Sequence, residues 1–293
     1  MAETITIAGE GVFPESIASD AAGTIYVGSN TGTVYRALPG SDTADPWLIP
    51  DDTNGLMSVF GVLADDAKDL LWVCTNPPMG AGPEAGGPAI KTFSLETGAM
   101  AASYPLNTGS GPAMCNDMTI AANGDVFASE MLGGRIMKLA AGGDTFEIWA
   151  QDEEFGTIDG ISFAADGTLY ANAIQRNTLL RINRDDAGAF AGVEVLETSQ
   201  AMVTPDGLRP LEDGRMLQSE GNSGLITLVS FNADGSATIE TIAEGIDYAS
   251  SVTPVNGRAY YPEGKLSFMF DPEKAGQDPG TFVIRSVAIP GAE

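Results

Sequence analysis

The sequence contains no histidine, and only 14 Lys and Arg stand against 40 Asp and Glu. Without an imidazole there is no Ser–His or Cys–His catalytic unit and no His-ligated zinc or haem. Proton transfer must then fall to Asp, Glu, Lys, Tyr, Cys or a metal-bound water. The formal net charge of -26 opposes a phosphate backbone or an anionic membrane surface, so neither nucleic acid nor membrane is expected as a partner. Cysteine is scarce: Cys74 and Cys115 are too few for a disulfide scaffold or a Cys-only zinc site. Buried free thiols are the expectation, with a meeting of the two left open. No Asn-x-Ser/Thr sequon is present. No apolar run approaches the ~20 residues that span a bilayer. The opening residues MAETITIAGEG lack a basic segment followed by a long apolar core, so a cytoplasmic protein is expected. GxGxxG, GxxxxGK[ST] and GxSxG are absent too, which removes the common nucleotide-binding and serine-hydrolase readings.

What is present points to an all-β chain with a sizeable core. Apolar residues make up 43% of the 293, enough to oppose disorder despite the charge. No long stretch keeps a helical period; short β-rich runs recur between Gly, Asp and Asn turn signals. Five segments superpose without gaps: ESIASDAAGTIYVGS from Glu15, NDMTIAANGDVFASE from Asn116, DGISFAADGTLYANA from Asp159, DGLRPLEDGRMLQSE from Asp206 and ASSVTPVNGRAYYPE from Ala249. A turn glycine stands eight residues after each start, at Gly23, Gly124, Gly167, Gly214 and Gly257. Each segment therefore reads as a hairpin. A sixth unit from Phe60 has the same shape with a longer turn and no glycine at its tip. The starts are 45, 56, 43, 47 and 43 residues apart, the long interval absorbing the Gly/Pro-rich insert from Pro77 to Pro88. A third strand usually follows, as in TVYRAL, GRIMKL, TLLRIN and GLITLV, and a fourth in TFEIWA and GVEVLE. The expected architecture is a single domain over residues 1–293: a six-bladed β-propeller with four-stranded antiparallel blades around a central metal-containing channel. The segment from Thr281 to Pro290 is expected to supply the outer strand that closes the ring.

In such a fold the first strand of each blade lines the axis, so the first repeat positions form a ring: Glu15, Phe60, Asn116, Asp159, Asp206 and Ala249. Four of these six are oxygen donors and three are carboxylates. Asp and Asn are also ordinary turn residues, but turn chemistry does not require the coincidence at one repeat position. Converging carboxylates repel one another and are costly to desolvate, and a hard divalent cation relieves both. Glu15, Asn116, Asp159 and Asp206 are therefore the candidate metal ligands. The second strand returns to the same face, placing Glu130, Glu220 and Asn172 as candidate substrate contacts; exposure to solvent at strand ends is the alternative. Met114 and Phe60, with Met57, Met118 and Met131, fall near the expected rim, so they are candidate substrate contacts or ordinary inter-blade packing. The Pro77–Pro88 insert reads as a lid or as a plain connection.

The runs P-E-S-I, C-N-D-M, I-D-G-I and T-P-D-G-L resemble, in order and spacing, the four metal-binding segments of the regucalcin/gluconolactonase family, which includes senescence marker protein and luciferin-regenerating enzyme. The resemblance extends from Glu15 to about Glu263. It implies one divalent cation, Ca2+ foremost and Mg2+, Mn2+ or Zn2+ as alternatives, held by Glu15, Asn116, Asp159 and Asp206. Asp159 stands where relatives commonly carry Asn, and Ala113 where relatives acting on aldonolactones often carry Arg. The resemblance further implies a metal-dependent hydrolase opening a small lactone, with Asp206 as the carboxylate that orients or deprotonates water. The alternatives are a phosphotriester hydrolase like diisopropyl-fluorophosphatase, a non-catalytic calcium-binding or ligand-binding propeller, and a lyase or isomerase using the same metal. Strictosidine-synthase-like propellers share the fold but rely on a Glu without this ligand set. A small molecule is the expected partner of a monomer or weak dimer.

Overall fold

In a computed structural model of the chain, residues 3–109, 111–274 and 276–292 are described. They are almost entirely β. Among them the helical pieces are single turns at Ser267–Phe270, Pro83–Ala85, Glu153–Phe155 and Pro272–Lys274. Four sheets are four-stranded antiparallel meanders whose strands lie in chain order. They begin at Ser58–Asp65, Cys115–Ile120, Ile158–Phe163 and Pro205–Pro210. The fifth sheet has eight strands and joins a meander from Pro14–Ser19 to Thr43–Leu48 with the strands Thr253–Val255, Arg258–Pro262 and Val283–Ala288. This arrangement is consistent with a propeller.

The junction in the eight-stranded sheet is the N-terminal strand Thr4–Ile7. It pairs antiparallel with Val283–Ala288 and parallel with Thr43–Leu48. The closing outer strand therefore comes from the N-terminus, and Val283–Ala288 lies one place further in, against Arg258–Pro262. This corrects the assignment of the closing strand to the C-terminal segment. The physical reason is alternation: in Thr4–Ile7 the residues Ile5 and Ile7 are buried while Thr4 and Thr6 face out, as a strand with one packed face requires.

The hairpins arise as the turn glycines indicate. Gly23, Gly124, Gly167, Gly214 and Gly257 all adopt positive φ, between 71° and 87°, a region open to glycine without steric cost. The second strands Ile25–Ser29, Val126–Glu130, Leu169–Ala173 and Met216–Glu220 are buried along their whole length. Both faces of each are covered, so their polar members, such as Ser129, Asn172 and Gln218, are buried along with the apolar ones.

The core sits between successive sheets. Tyr26 and Val34 pack with Val62 and Leu71, Trp72 and Ile90 with Met118 and Phe146, Phe127 and Ile136 with Ile161 and Leu180. Tyr170 and Leu179 continue the series with Leu208 and Val229, and Leu217 and Ile226 with Val252 and Tyr261. Burial of each such side chain contributes about 1.5–3 kcal/mol. The last inner strand also returns to the first: Ser19 Oγ lies 2.9 Å from Thr253 Oγ1 and donates to Pro254 O at 3.1 Å.

Candidate functional site

Five inner strands share one irregularity near their beginnings. The pairing register shifts between Pro14 and Ser16, Val59 and Val62, Cys115 and Met118, Ile158 and Ile161, and Pro205 and Leu208. A bulge bends a strand and re-aims the side chains it contains. The residues inside these shifts include Glu15, Phe60, Asn116, Asp159 and Asp206, the ring positions of the repeat. In three of the five the next residue is glycine: Gly61, Gly160 and Gly207. A Cβ on Gly61 would meet Asn116 O at 2.2 Å, and one on Gly160 would meet Asp206 O at 2.2 Å. Glycine there lets neighbouring inner strands come near enough for their bulged side chains to converge.

They do converge. Glu15, Asn116, Asp117, Asp159 and Asp206 line one cavity together with Ser16, Ser250 and Ser251. The space left between them, about 10 Å3, takes the centre of roughly one water-sized sphere. Glu15, Asn116, Asp159 and Asp206 are all buried, with Asp159 only 1% exposed. Asn116 Nδ2 donates to Asp159 Oδ2 at 3.0 Å, while Asp159 Oδ1 is buried with no partner. Burial first, and then the neighbouring carboxylates, drive the acids toward their protonated forms. Burial pushes Asp159 up to about 7, with the neighbouring Asp206 and Asn116 side chains pulling the other way. Glu15 and Asp206 are raised well above the usual carboxylate range by burial and then by Asp159.

Among the described residues, no three His, Cys, Asp or Glu side chains stand close enough together to hold an ion by themselves. The donor chemistry nonetheless fits a hard divalent cation: three carboxylates in mutual repulsion, one amide, and one buried oxygen without a partner. A roomier hollow of about 600 Å3 lies at the other ends of the same strands, lined by Ile120, Phe163, Pro210, Arg184 and Glu212 among others. Its lining carries one acid, Glu212, against the four of the narrow cavity.

The remaining candidate residues fall in different places. Glu130 is fully buried and its carboxylate is occupied: Oε1 accepts from the backbone of Met114, Leu132 and Gly133, and Oε2 from Arg135 at 2.9 Å. It holds the loop that leads into Asn116. Glu220 does the same before Asp206, Oε2 accepting from Val203 N at 2.8 Å, while its buried Oε1 has no partner. Asn172 Nδ2 donates to Asp206 O at 2.8 Å, which fixes the backbone of that residue. Met114 and Phe60 are partly buried; Phe60 packs with Cys74, Cys115 and Met118, and its carbonyl accepts from Ser16 Oγ.

Three features escaped the sequence reading. At the sixth ring position the polar residue is Ser250, one residue beyond Ala249: Ser250 O accepts from Gly207 N at 3.2 Å, and the buried Ser250 Oγ has no partner. The last hairpin turns tightly at Asn256-Gly257, pairing Val255 with Arg258, so counting back from the turn glycine misses by one. Tyr248 is the second feature. It takes a φ of +64°, packs its ring against Gly221, and has its acidity weakened by burial and by Asp206, Asp159 and Glu15. Its phenol therefore stays protonated. Third, Cys74 and Cys115 form a disulfide, with Cα atoms 5.4 Å apart, which corrects the expectation of free thiols. The strands carrying them are neighbours only in three dimensions; Asn76 braces the same contact through Cys115 N and O.

Comparison with known proteins places this geometry in context. A family model described as strictosidine synthase-like, N-terminal, matches residues 1–37. No curated protein matches the sequence. Solved structures do. A luciferin-regenerating enzyme is 12% identical, covering 99% of this chain and 96% of its own, with a TM-score of 0.73. A gluconolactonase of Xanthomonas campestris is 16% identical over 97% of this chain and 89% of its own, at a TM-score of 0.65. A virginiamycin B lyase of Staphylococcus aureus, made catalytically inactive by a His-to-Ala substitution, is 10% identical over 98% of each chain, at a TM-score of 0.61. The resemblance to the gluconolactonase-like family carried by the four short segments is thus matched by likeness of fold.

Proposed function

We propose that this chain is a gluconolactonase-like six-bladed propeller acting as a divalent-metal-dependent hydrolase on a small lactone. The eight-stranded sheet is then the first and last blades, joined edge to edge through Thr4–Ile7. The observation that carries the reading is the meeting of Glu15, Asn116, Asp159 and Asp206, from four separate inner strands, around one buried cavity. Glu15, Asn116, Asp159 and Asp206 would hold the cation, Ca2+ foremost, which when bound supplies Lewis-acid polarisation of a carbonyl oxygen.

The side chains divide the rest of the work. Asp206 orients the attacking water and accepts its proton, its backbone held by Asn172. Asn116 fixes Asp159 through its amide, which keeps that carboxylate turned into the cavity. Tyr248 offers a neutral phenol to oxygen at the mouth, from the sixth blade, where the ring residue itself has no carboxylate. Glu130 and Glu220 hold the loops before Asn116 and Asp206, so they shape the wall more than they touch substrate. The partly buried Met114, Met131 and Phe60 beside Asn116 favour a substrate less polar than a sugar.

The lyase likeness favours a second reading less. That relative loses activity with a histidine, and this sequence contains none. The test is hydrolysis of aldonolactones and apolar γ- and δ-lactones by protein stripped with a chelator and resupplied with Ca2+, Mg2+, Mn2+ or Zn2+, with a phosphotriester and a streptogramin alongside. Cation-dependent lactone turnover supports the proposal. Turnover of the streptogramin alone, or none with any cation, overturns it.

A further inference from the structure

Asp117 lines the same cavity as the four candidate ligands, yet both of its oxygens are already engaged elsewhere. Arg209 takes both. Nη1 donates to Oδ2 at 2.6 Å and Nη2 to Oδ1 at 2.8 Å, a two-pronged contact, and Ile161 N adds a third bond to Oδ2 at 3.2 Å. The pair is buried, Asp117 at 4% and Arg209 at 6% exposure, and the partners lie 92 residues apart in the chain. Arg209 also donates to Leu208 O at 2.8 Å and reaches Val62 O at 3.5 Å. Its side chain thus passes from the inner strand of Asp206, over that of Asp159, to those of Asn116 and Phe60. Such a fork matches a carboxylate in a way that an ammonium cannot.

Resting on the reading of the cavity as a cation site, we propose that Arg209 sets the cation affinity by withholding Asp117 as a fifth oxygen ligand. Four acids, Glu15, Asp117, Asp159 and Asp206, line one small space. Hard-cation sites tighten with the number of charged oxygens supplied. With Asp117 engaged by a guanidinium, three carboxylates remain, and one fixed positive charge stands close by. The cation is then held loosely enough to exchange, and its charge is less neutralised by ligands, which preserves its pull on a substrate oxygen. Arg209 and Asp117 are positioning residues in this scheme and touch no substrate.

The two partners have effects of opposite sign, which no purely structural role produces. Arg209→Met releases Asp117 and removes the positive charge, so Ca2+ binds at least about tenfold more tightly. Asp117→Asn leaves Arg209 uncompensated beside the site, so Ca2+ binds at least about tenfold more weakly. The double variant Asp117→Asn/Arg209→Met carries neither charge and returns to within about threefold of the parent. Arg209→Lys keeps a cation without the fork; it tightens binding less than Arg209→Met and guards against misfolding of the latter. Calorimetric titration of chelator-treated protein with Ca2+ alone reads all four, with circular dichroism checking the fold. Opposite shifts with recovery in the double variant support the proposal. Weaker binding in every folded variant, or equal binding in all, overturns it while leaving the cation site standing. Absence of binding by the parent chain overturns both.

Discussion

Asp159 and Asp206 meet in a buried, acid-rich space, and their chemistry follows from that crowding. Asp206→Asn keeps the shape of the side chain and removes its ability to accept a proton. We expect kcat/KM for the best lactone to fall by at least about 10²-fold with the circular dichroism spectrum unchanged. Asp159 contributes to the pH dependence of stability, in the same direction as Glu15 and Asp206. Its folded value is about 7 against 3.8 for the ordinary group. At Asp159 the folded chain therefore binds more protons than the unfolded chain between those values, so without cation the stability this group contributes is present below about pH 4 and is lost as pH rises toward about 7. Urea midpoints in the presence of a chelator should decline across that window, and the decline should be smaller in Asp159→Asn. Saturating Ca2+, which selects the ionised form, should flatten it. A parent midpoint that rises across the window contradicts the burial-driven shift.

At the scale of the element, the bulges decide what the inner strands present. Gly160 permits one of them, because a Cβ there would sit 2.2 Å from the carbonyl of Asp206. Gly160→Ala should cost about 1–3 kcal/mol in chemical denaturation by overpacking. It should also weaken Ca2+ binding, since the displaced strand carries Asp206. Parent-like denaturation and binding would show that the strands separate freely. The disulfide is a second element-scale constraint. It closes a loop of sequence separation 41, so reduction or Cys74→Ser should lower stability by about 4 kcal/mol through the unfolded chain's regained freedom. Because Cys115 precedes Asn116 directly, the reduced protein should also bind Ca2+ less tightly, a shift that titration with and without reductant would measure. The repeated glycines at the hairpin tips were legible in the sequence because positive φ leaves a residue-type signature. The bulges were not, since a register shift is a relation between two strands.

For the whole molecule, closure depends on a strand of four residues. Thr4–Ile7 covers the edges of both Thr43–Leu48 and Val283–Ala288 and buries Ile5 and Ile7. Starting the chain at Gly9 removes that cover, exposes two strand edges, and leaves apolar surface unpaired. The shortened protein should unfold at lower temperature by several degrees and associate in light scattering; parent-like melting and scattering would show that closure lies elsewhere.

Much about this protein was decided by residue order alone. The absence of histidine restricted the chemistry, the recurring turn glycines set out the hairpins, and the shared repeat position singled out Glu15, Asn116, Asp159 and Asp206. These are local or periodic properties, and periodicity survives without coordinates. Tertiary structure decided what depends on partners distant in the chain: the N-terminal strand pairing with the C-terminal one, Ser250 in place of Ala249, the joining of Cys74 to Cys115, and Tyr248 against Gly221. It also paired Asp117 with Arg209, 92 residues away. No local pattern encodes such pairings, because they follow from how the sheets pack around one another.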